Sequence, residues 1–490
     1  MKKAILIAGA ALALGCFPAL ANAAPTPKPP TPPPFPTASG SPLPYPAYGT
    51  PAPGIAQGVP VAGVPQRITL GQAVNIAVAR SPVLAAARGS EAVAGAQVDL
   101  ARVPALPNLS GTAAITRSNS QAGSFGGGAG GGVRAGGSFT QNSLTANLRQ
   151  LIFDGGRVAA QIRSAQENQQ GAVATYRRNL QTLTFNVATA YYNALSAQQA
   201  TALAADVVVQ NQTQENLVLA QIRAGTTARS DLATAQFPTA QARVALVRAQ
   251  GAELSAFATF ANVLGLEANA DVRPADDTPA NPTASLLQAP LLSYDAANKR
   301  ALELRPDYNA ANHTVISAQD ALKAARLGRF PSLTGSASDG ATSTNATGGD
   351  FRNSNSIGAA IAIPLFDAGQ THAQTAQSQA QLDIANANLQ TSRLGIGLSV
   401  QQALVNLVSA QSASTQALAE LRKAQEVLRA TQAQYKAGVT TLPLLLNAQV
   451  GLTQAQTDQL NAVYQLRQAE QNYLFALGEN DIVDTAHLSF

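Results

Sequence analysis

The sequence of 490 residues has no tryptophan, one cysteine, one methionine and three histidines. Aromatic residues make up 5% of the chain and charged residues 12%, whereas small and uncharged polar residues, above all alanine, dominate. So few large side chains cannot fill the cores of two or three ordinary globular domains, although the length alone would suggest them. The composition is typical instead of long helices whose backbones approach closely over small residues.

The same scarcity excludes several classes of chemistry. Because Cys16 is the only cysteine, there is no disulfide framework to argue from. The three histidines, His313, His372 and His487, have no metal-ligand spacing, and we predict that they lie on solvated surface. No phosphate-binding Walker sequence and no supported Ser/His/Asp set occur, so we expect no enzyme activity, no cofactor and no bound metal. The formal charge of +5 is small for this length and forms no basic stripe, so nucleic acid is not an expected partner.

The N-terminus has the pattern of an export signal, with two lysines, an apolar run from Ala4 to Leu14 and then small residues. Two processing routes remain open. We favour cleavage after Ala23, which makes residues 1–23 a signal peptide. The alternative is the lipobox-like sequence that ends at Cys16, which makes this cysteine a candidate lipidation site. No other run approaches the ~20 apolar residues of a membrane-spanning helix, so we expect export without a helical anchor.

Residues 24–66 form a proline-rich segment that contains 15 of the chain's 28 prolines. Threonine, alanine and glycine fill the intervals between the prolines. This composition predicts a disordered or polyproline-II tether.

Two stretches, residues 220–236 and 433–449, share one pattern at an offset of 213 residues. Each runs helical residues into a basic side chain, then Ala-Gly, then a pair of hydroxyl residues. Gly225 and Gly438 are predicted to end their helices in the left-handed conformation that glycine adopts cheaply. The threonines Thr227 and Thr441 are predicted to cap the next helices. Each stretch is therefore predicted to be the tip of a helical hairpin.

The repeat extends beyond the tips. Residues 151–157, Leu-Ile-Phe-Asp-Gly-Gly-Arg, match residues 364–370, Pro-Leu-Phe-Asp-Ala-Gly-Gln, at the same offset. Earlier in each half the offset is 224, so 11 extra residues lie between the matched segments, where the glycine-rich run 126–137 occurs. One duplicated unit with a longer loop in its first copy explains both offsets.

Each copy also contains a predicted β-hairpin, at 108–153 and 332–366. Weak alternation of apolar and polar residues predicts strands at 108–116, 144–153 and 332–338. The clearest apolar stripe predicts a fourth strand at 354–365. A single strand of this kind suits a soluble hairpin with one buried face. Four strands of ~10 residues, in duplicated pairs of an exported protein, favour a transmembrane β-barrel.

A very long helix follows each hairpin, at 155–224 and 368–437, and a shorter helix returns from each tip. Seventy residues at a rise of 1.5 Å give a rod of roughly 100 Å. Such rods must pack side by side to bury their apolar seams. The predicted organisation is a first repeat at 67–266, a connector at 267–291, a second repeat at 292–478 and a tail at 479–490.

Two halves built in this order, with Leu-Phe-Asp-x-Gly at the joint between strand and helix and Arg/Lys-Ala-Gly at the tip, closely resemble the TolC-like outer-membrane efflux proteins. The likeness covers about residues 68–478. It implies a homotrimer with four strands from each chain in a 12-stranded barrel in outer-membrane lipid, continued by a long α-helical barrel across the periplasm. It also implies that the tips meet a periplasmic adaptor, which joins the channel to an inner-membrane pump. The implied docking residues are Arg223, Ala224, Gly225, Thr226, Lys436, Ala437, Gly438 and Val439.

One departure from the family concerns the periplasmic constriction. Well-known members carry acidic side chains in the helix after the second tip, where this chain has Leu444 and Asn447. The neighbouring leucines at 442, 445 and 446 predict an apolar constriction, which gates by dewetting rather than by cation binding. The nearest acidic substitute is Asp231, in the helix after the first tip.

Two functions of different classes are consistent with these features. The first is a passive exit duct in the outer membrane for a tripartite export or type I secretion system, with drugs, metals or proteins as cargo. The alternative is a periplasmic or surface coiled-coil protein without a pore, which leaves the four alternating strands unexplained.

Overall fold

The computed structural model describes residues 66–119, 138–275, 291–344 and 350–479. The predicted signal peptide, Cys16, nearly all of the proline-rich segment, the run 126–137, His487 and the tail beyond Glu479 lie outside these residues. Among the described helices, none combines the length and the apolar content that crossing a membrane requires. The α-helices are α1 Leu70–Arg80, α2 Pro82–Arg102, α3 Arg157–Arg223, α4 Ser230–Val263, α5 Tyr294–Leu304, α6 Pro306–Leu327, α7 Gln370–Lys436 and α8 Leu442–Leu477.

The strands of the described residues form two separate sheets. They are β1 Arg67–Ile68, β2 Asn108–Asn119, β3 Ser138–Phe153, β4 Arg273–Pro274, β5 Ser332–Thr344 and β6 Arg352–Ala362. The larger sheet is antiparallel, with the strand order β2-β3-β5-β6, and joins the two hairpins through β3 and β5. The smaller sheet is the parallel pair of β1 and β4.

The duplication predicted from the sequence is present in the fold. The order α1-α2-β2-β3-α3-α4 recurs as α5-α6-β5-β6-α7-α8. Both α3 and α7 contain 67 residues and lie 213 residues apart in the chain, as the sequence offset requires. The two tips therefore end rods of equal length.

The second hairpin ends earlier than predicted. Strand β6 stops at Ala362, which pairs with Ser332, the first residue of β5. Ile363 and Leu365, which the predicted stripe included, lie outside the ladder. Pro364 has no N–H to donate to a neighbouring strand, so pairing does not continue through it.

The predicted connector contains a short ladder that sequence patterning missed. Arg273 and Pro274 pair with Arg67 and Ile68, and Ile68 is fully buried. Two-residue strands have no periodicity to detect, and their partner lies some 200 residues away in the chain. The start of the first repeat is thus held against the segment that follows it.

The aspartates of Ile-Phe-Asp-Gly-Gly, residues 152–156, and Leu-Phe-Asp-Ala-Gly, residues 365–369, lie just before the two long helices. The Asp154 carboxylate accepts hydrogen bonds from the N–H of Gly156 at 3.0 Å and of Val158 at 2.7 Å. Asp367 makes the same pair of bonds, to Gly369 at 3.0 Å and Thr371 at 2.9 Å. A hydrogen bond with the Thr371 side chain, together with these two backbone bonds, lowers the pKa of the Asp367 carboxyl. Each aspartate therefore satisfies N–H groups that the first turn leaves free and places a negative charge at the positive end of the helix.

Proline separates the two short helices in front of each hairpin. Ser81 and Arg305 both adopt an extended conformation before Pro82 and Pro306, which occupy the first helical position. The Ser81 hydroxyl accepts from the N–H of Leu84 at 3.4 Å. The chain therefore breaks between α1 and α2 at residues 81–82.

Helices α3 and α6 contact each other through polar pairs as well as small residues. The His313 ring nitrogen Nδ1 lies 2.7 Å from a Glu167 carboxylate oxygen, and both side chains are about three-quarters buried. The Ser164 and Ser317 hydroxyl groups are 2.9 Å apart. The prediction that His313 lies on solvated surface is wrong, because its helix packs against α3.

A buried charge cluster lies where α3, α6 and α8 meet. The Arg305 guanidinium donates from Nε and Nη2 to the two Asp307 carboxylate oxygens, at 3.0 Å and 2.6 Å. The Arg178 guanidinium lies 3.8 Å from the same carboxylate and 3.9 Å from the centre of the Phe475 ring. Burial and repulsion from Arg305 lower the pKa of Arg178 to about 10, which still leaves it charged at neutral pH. The cluster links the two repeats of the chain.

Candidate functional site

Both helical hairpins turn through the same hydrogen-bonded motif. After α3, the N–H of Gly225 bonds to the carbonyl of Ile222, and that of Thr226 bonds to Gln221, each at 3.0 Å. After α7, the Gly438 and Val439 N–H groups make the equivalent bonds. Gly225 and Gly438 have φ angles of 72° and 71°. The pattern is the Schellman ending that glycine permits, as the two Ala-Gly sequences predict.

The predicted threonine caps do not form. Helix α4 begins at Ser230 with Arg229 in the cap position, two residues beyond Thr227, and Arg229 makes no side-chain capping bond. Thr441 does precede α8, but its side chain makes no capping bond either. The hydroxyl group of Thr226, the residue before Thr227, donates back to the Gln221 carbonyl at 3.0 Å. A local pattern does not decide which way a hydroxyl group turns.

All eight residues of the predicted docking tips are exposed, which leaves both tips accessible. Arg223 and Lys436 occupy the last turns of their helices, where a positive charge is favourable. Beside each charge the Ala-Gly backbone is exposed, because alanine has a small side chain and glycine has none. Each tip therefore presents one basic side chain beside an exposed Ala-Gly backbone.

The two hairpins pack against each other just before the tips. Val218, Ala235, Leu442 and Leu446 form a buried apolar cluster at the ends of α3, α4 and α8. A hydrogen bond from Tyr435 to Gln221 lies beside this cluster. The apolar cluster and this hydrogen bond therefore join the two hairpins of one chain next to their tips.

One of the four leucines in the turn that is predicted to form the constriction is exposed. Leu442, Leu445 and Leu446 are buried within the chain, whereas Leu444 is 51% exposed. Asn447 is exposed one turn later, and Asp231 is half-buried in the first turn of α4. Of the four leucines that make this turn apolar in the sequence, Leu444 alone is exposed, because a helix directs neighbouring residues to different faces.

The four-stranded sheet has one apolar and one polar face. Residues opposite one another in an antiparallel ladder share a face, so the register assigns each side chain. The apolar face carries Leu109, Ala113, Ile115, Leu144, Leu148, Leu333, Ala337, Ile357, Ala359 and Ile361. The polar face carries Ser110, Thr112, Thr145, Asn147, Ser336, Ser338, Thr342, Ser354 and Ser356. Ile357 is 90% exposed and Ile115 is 79% exposed, so the part of the chain that the structure describes leaves the apolar face uncovered.

Among the described residues, the sheet also has two free edges, at β2 and β6. In lipid an open strand edge leaves backbone N–H and C=O groups without partners, and four strands are too few to close a barrel. An amphipathic sheet of this kind, joined to paired long helical hairpins, defines a subunit of an outer-membrane channel.

The comparison with protein families agrees with this class. The profile of the family described as outer membrane efflux protein matches residues 73–266 and 298–479, one segment in each repeat. The chain therefore belongs to the outer membrane efflux protein family, as its motifs predict.

Individual proteins resemble the chain over most of its length. Protein CyaE of Bordetella pertussis is 27% identical over 423 residues, which cover 84% of each chain. Outer membrane protein TolC of Escherichia coli is 26% identical over 408 residues, or 78% of this chain and 76% of TolC. The solved structure of CusC has a TM-score of 0.73 at 20% identity, and the match covers 88% of this chain and 99% of CusC.

The predicted fold class is confirmed: a mainly helical chain of two tandem repeats, with a β-barrel part continued by a helical barrel. The chain is an outer-membrane efflux channel whose helices extend into the periplasm. The family assignment removes the support for the alternative of a coiled-coil protein without a pore.

Proposed function

We propose that three copies of this chain form the passive exit duct of a tripartite export system. The observation that carries the proposal is the sheet with one exposed apolar face and two free edges. Three such sheets, joined edge to edge, close a barrel of 12 strands, with every backbone group paired and the apolar face toward lipid.

An exposed stripe on the long helix α7 supports the same assembly. Leu394, Leu398, Val405 and Val408 lie within one narrow face of this helix, and between 47% and 65% of each side chain is exposed. Water does not favour such a stripe on a rod of this length. A neighbouring copy that packs along α7 buries it and builds the helical barrel below the sheet.

The tips provide the surface for a periplasmic adaptor. Each tip carries four of the eight exposed residues around Gly225 and Gly438, so a trimer presents six such tips, two from each chain. Helical hairpins of an adaptor fit a ring of tips with small residues at their ends, because the backbones can approach closely. The adaptor then joins the duct to an inner-membrane pump, which supplies the energy. Beside the tips, Leu444, Asn447 and Asp231 form the periplasmic constriction.

Two neighbouring strand positions test the proposal sharply. Ile357 lies on the apolar face, and Ser354 lies on the polar face opposite Gly340. Ile357→Lys places a charge in lipid, at a cost of about 2–4 kcal/mol per chain, whereas Ser354→Lys places the same charge in the water-filled lumen. Membrane fractionation and gel analysis without heating should find a detergent-stable trimer in the outer membrane for wild type and Ser354→Lys. The Ile357→Lys variant should form no such trimer in the outer membrane.

A water-soluble monomeric wild type would contradict the proposal. Equal trimer yields for the two lysine variants would also contradict it, because they would mean that neither face of the sheet meets lipid.

A further inference from the structure

The two β-hairpins differ in charge in a way that their duplication does not require. Residues 108–153 contain three arginines, Arg117, Arg134 and Arg149, and no acidic residue. Residues 332–362 contain Arg352 with two aspartates, Asp339 and Asp350. The net formal charge of the two hairpins together is therefore +2 per chain.

The ladder register sorts these charges between the two faces. Arg149 lies opposite Asn108 and Ser336, and Arg352 lies opposite Thr342, all of which are on the polar face. Within the described strands, Arg149 and Arg352 are the charged side chains of that face, and both are exposed.

The opposite face carries the remaining strand charges. Arg117 lies opposite Thr140, on the same face as Ile115. Asp339 lies opposite Ala146 and Asn355, on the same face as Ala337. No carboxylate of the described strands therefore shares the polar face with the two arginines.

We propose that this polar face makes the β-barrel selective for anions. The inference rests on the trimeric duct proposed above, in which lipid covers the apolar face and the polar face lines the lumen. Each arginine then recurs three times, so that Arg149 and Arg352 form two rings of permanent positive charge. Rings of arginine are a known way to build a pore for anions.

The two rings lie at different depths of the barrel. Their partners on β5, Ser336 and Thr342, are six residues apart, or about 20 Å along the strand. This distance exceeds the Debye length of about 10 Å at 0.1 M salt, so the rings act separately there. At lower salt their fields overlap, and the low-dielectric wall of the barrel strengthens both.

The ring of Arg149, which lies farther from the outer mouth, contributes more to the anion selectivity than the ring of Arg352. Asp350 precedes Arg352 by two residues at the outer mouth and offsets part of its charge, whereas the hairpin that contains Arg149 has no acidic residue. Permeating solutes with carboxylate, phosphate or sulfate groups fit the guanidinium forks of both rings. We therefore assign anionic solutes as the cargo class that this barrel favours.

Ion selectivity of the purified channel in planar lipid bilayers tests the inference. Under a KCl gradient, the reversal potential of the wild type should show that chloride permeates faster than potassium. The double substitution Arg149→Gln and Arg352→Gln should lower the chloride-to-potassium permeability ratio by about twofold or more, and most strongly at low salt. Arg149→Gln alone should have a larger effect than Arg352→Gln alone.

Arg117→Gln is the matched control, since it removes the same charge from the same hairpin but from the opposite face. It should leave the ratio unchanged, and Arg149→Lys should retain the wild-type ratio because it keeps the charge. A wild type that prefers potassium, or an Arg117→Gln shift as large as that of the double variant, overturns the inference. Failure of the wild type to form conducting trimers would overturn the proposed duct instead.

Discussion

The hydroxyl group of Tyr435 donates a hydrogen bond of 3.0 Å to the side-chain oxygen of Gln221. Tyr435 lies one residue before the end of α7, and Gln221 lies two residues before the end of α3. The bond therefore joins the two rods of a chain immediately before their tips. Because each residue belongs to a different repeat, any movement of one tip away from the other must break it.

Tyr435→Phe should loosen the tips without disturbing the apolar packing. Loss of one side-chain hydrogen bond costs about 0.5–1.5 kcal/mol, which corresponds to a change of about two- to tenfold in local opening. The rate of trypsin cleavage at Arg223 and Lys436 in the detergent-solubilised channel should rise by this factor. Tyr176→Phe is the control, because its hydroxyl group accepts from Arg88, far from the tips along the chain. Equal cleavage rates for Tyr435→Phe and the wild type would show that the bond does not hold the tips.

Two glycine substitutions in and beside α8 should have effects of opposite sign. A Cβ atom added at Gly438 or Gly451 meets nothing within 4 Å, but only Gly438 has a positive φ, of 71°. Gly438→Ala should destabilise its tip by about 1–2 kcal/mol through backbone strain. Gly451→Ala, in the helix interior, should stabilise by about 1 kcal/mol. Thermal unfolding of the purified channel measures both, and two shifts of the same sign would contradict the backbone argument.

The charge cluster around Asp307 predicts a loss of stability in acid. Burial alone would raise the pKa of this carboxyl group, but the hydrogen bonds and charge of Arg305, with the charge of Arg178, lower it below 3.8. A folded pKa below the unfolded one adds stability above the unfolded value, and this contribution disappears as pH falls through the folded pKa.

Asp307→Asn should therefore destabilise the channel by about 2 kcal/mol at neutral pH, because it weakens two hydrogen bonds to a charged group. The difference in thermal midpoint between this variant and the wild type should narrow below about pH 4. A difference that stays constant between neutral pH and pH 3 would show that the carboxylate charge contributes nothing.

The periplasmic entrance should respond weakly to divalent cations. Leu444 and Asn447 are exposed on this turn of α8 and neither carries a charge, so the half-buried Asp231 is the one carboxylate of the proposed constriction. Wild-type conductance in planar bilayers should persist in submillimolar Mg²⁺, whereas Leu444→Asp, which adds three carboxylates to a trimer, should create a block. Val450→Asp adds the same charge to another face of α8 and should not. Submillimolar block of the wild type would contradict this account of the constriction.

The repeat, the tips and the hairpins were predictable because each rests on short-range information. The left-handed turns at Gly225 and Gly438 follow from a few neighbouring residues in the sequence. The alternation around Ile357 is likewise visible along a single strand. The burial of Leu445 beside the exposed Leu444 depends instead on where α3 and α7 lie. The same holds for His313, whose partner Glu167 is 146 residues away. Contacts between distant segments of small, similar residues leave no local periodicity to detect.

Helices α3 and α7 have the same length, 67 residues each, so each tip lies equally far from the start of its own helix. Deletion of one residue from a single rod would shorten it by about 1.5 Å and rotate everything beyond the deletion by about 100°. The two Ala-Gly turns would then stand at unequal heights and face different directions. A shorter or longer duct therefore requires insertions or deletions of equal size in both repeats. About seven residues, close to two full turns, is the smallest such change that nearly preserves which helix faces contact their neighbours.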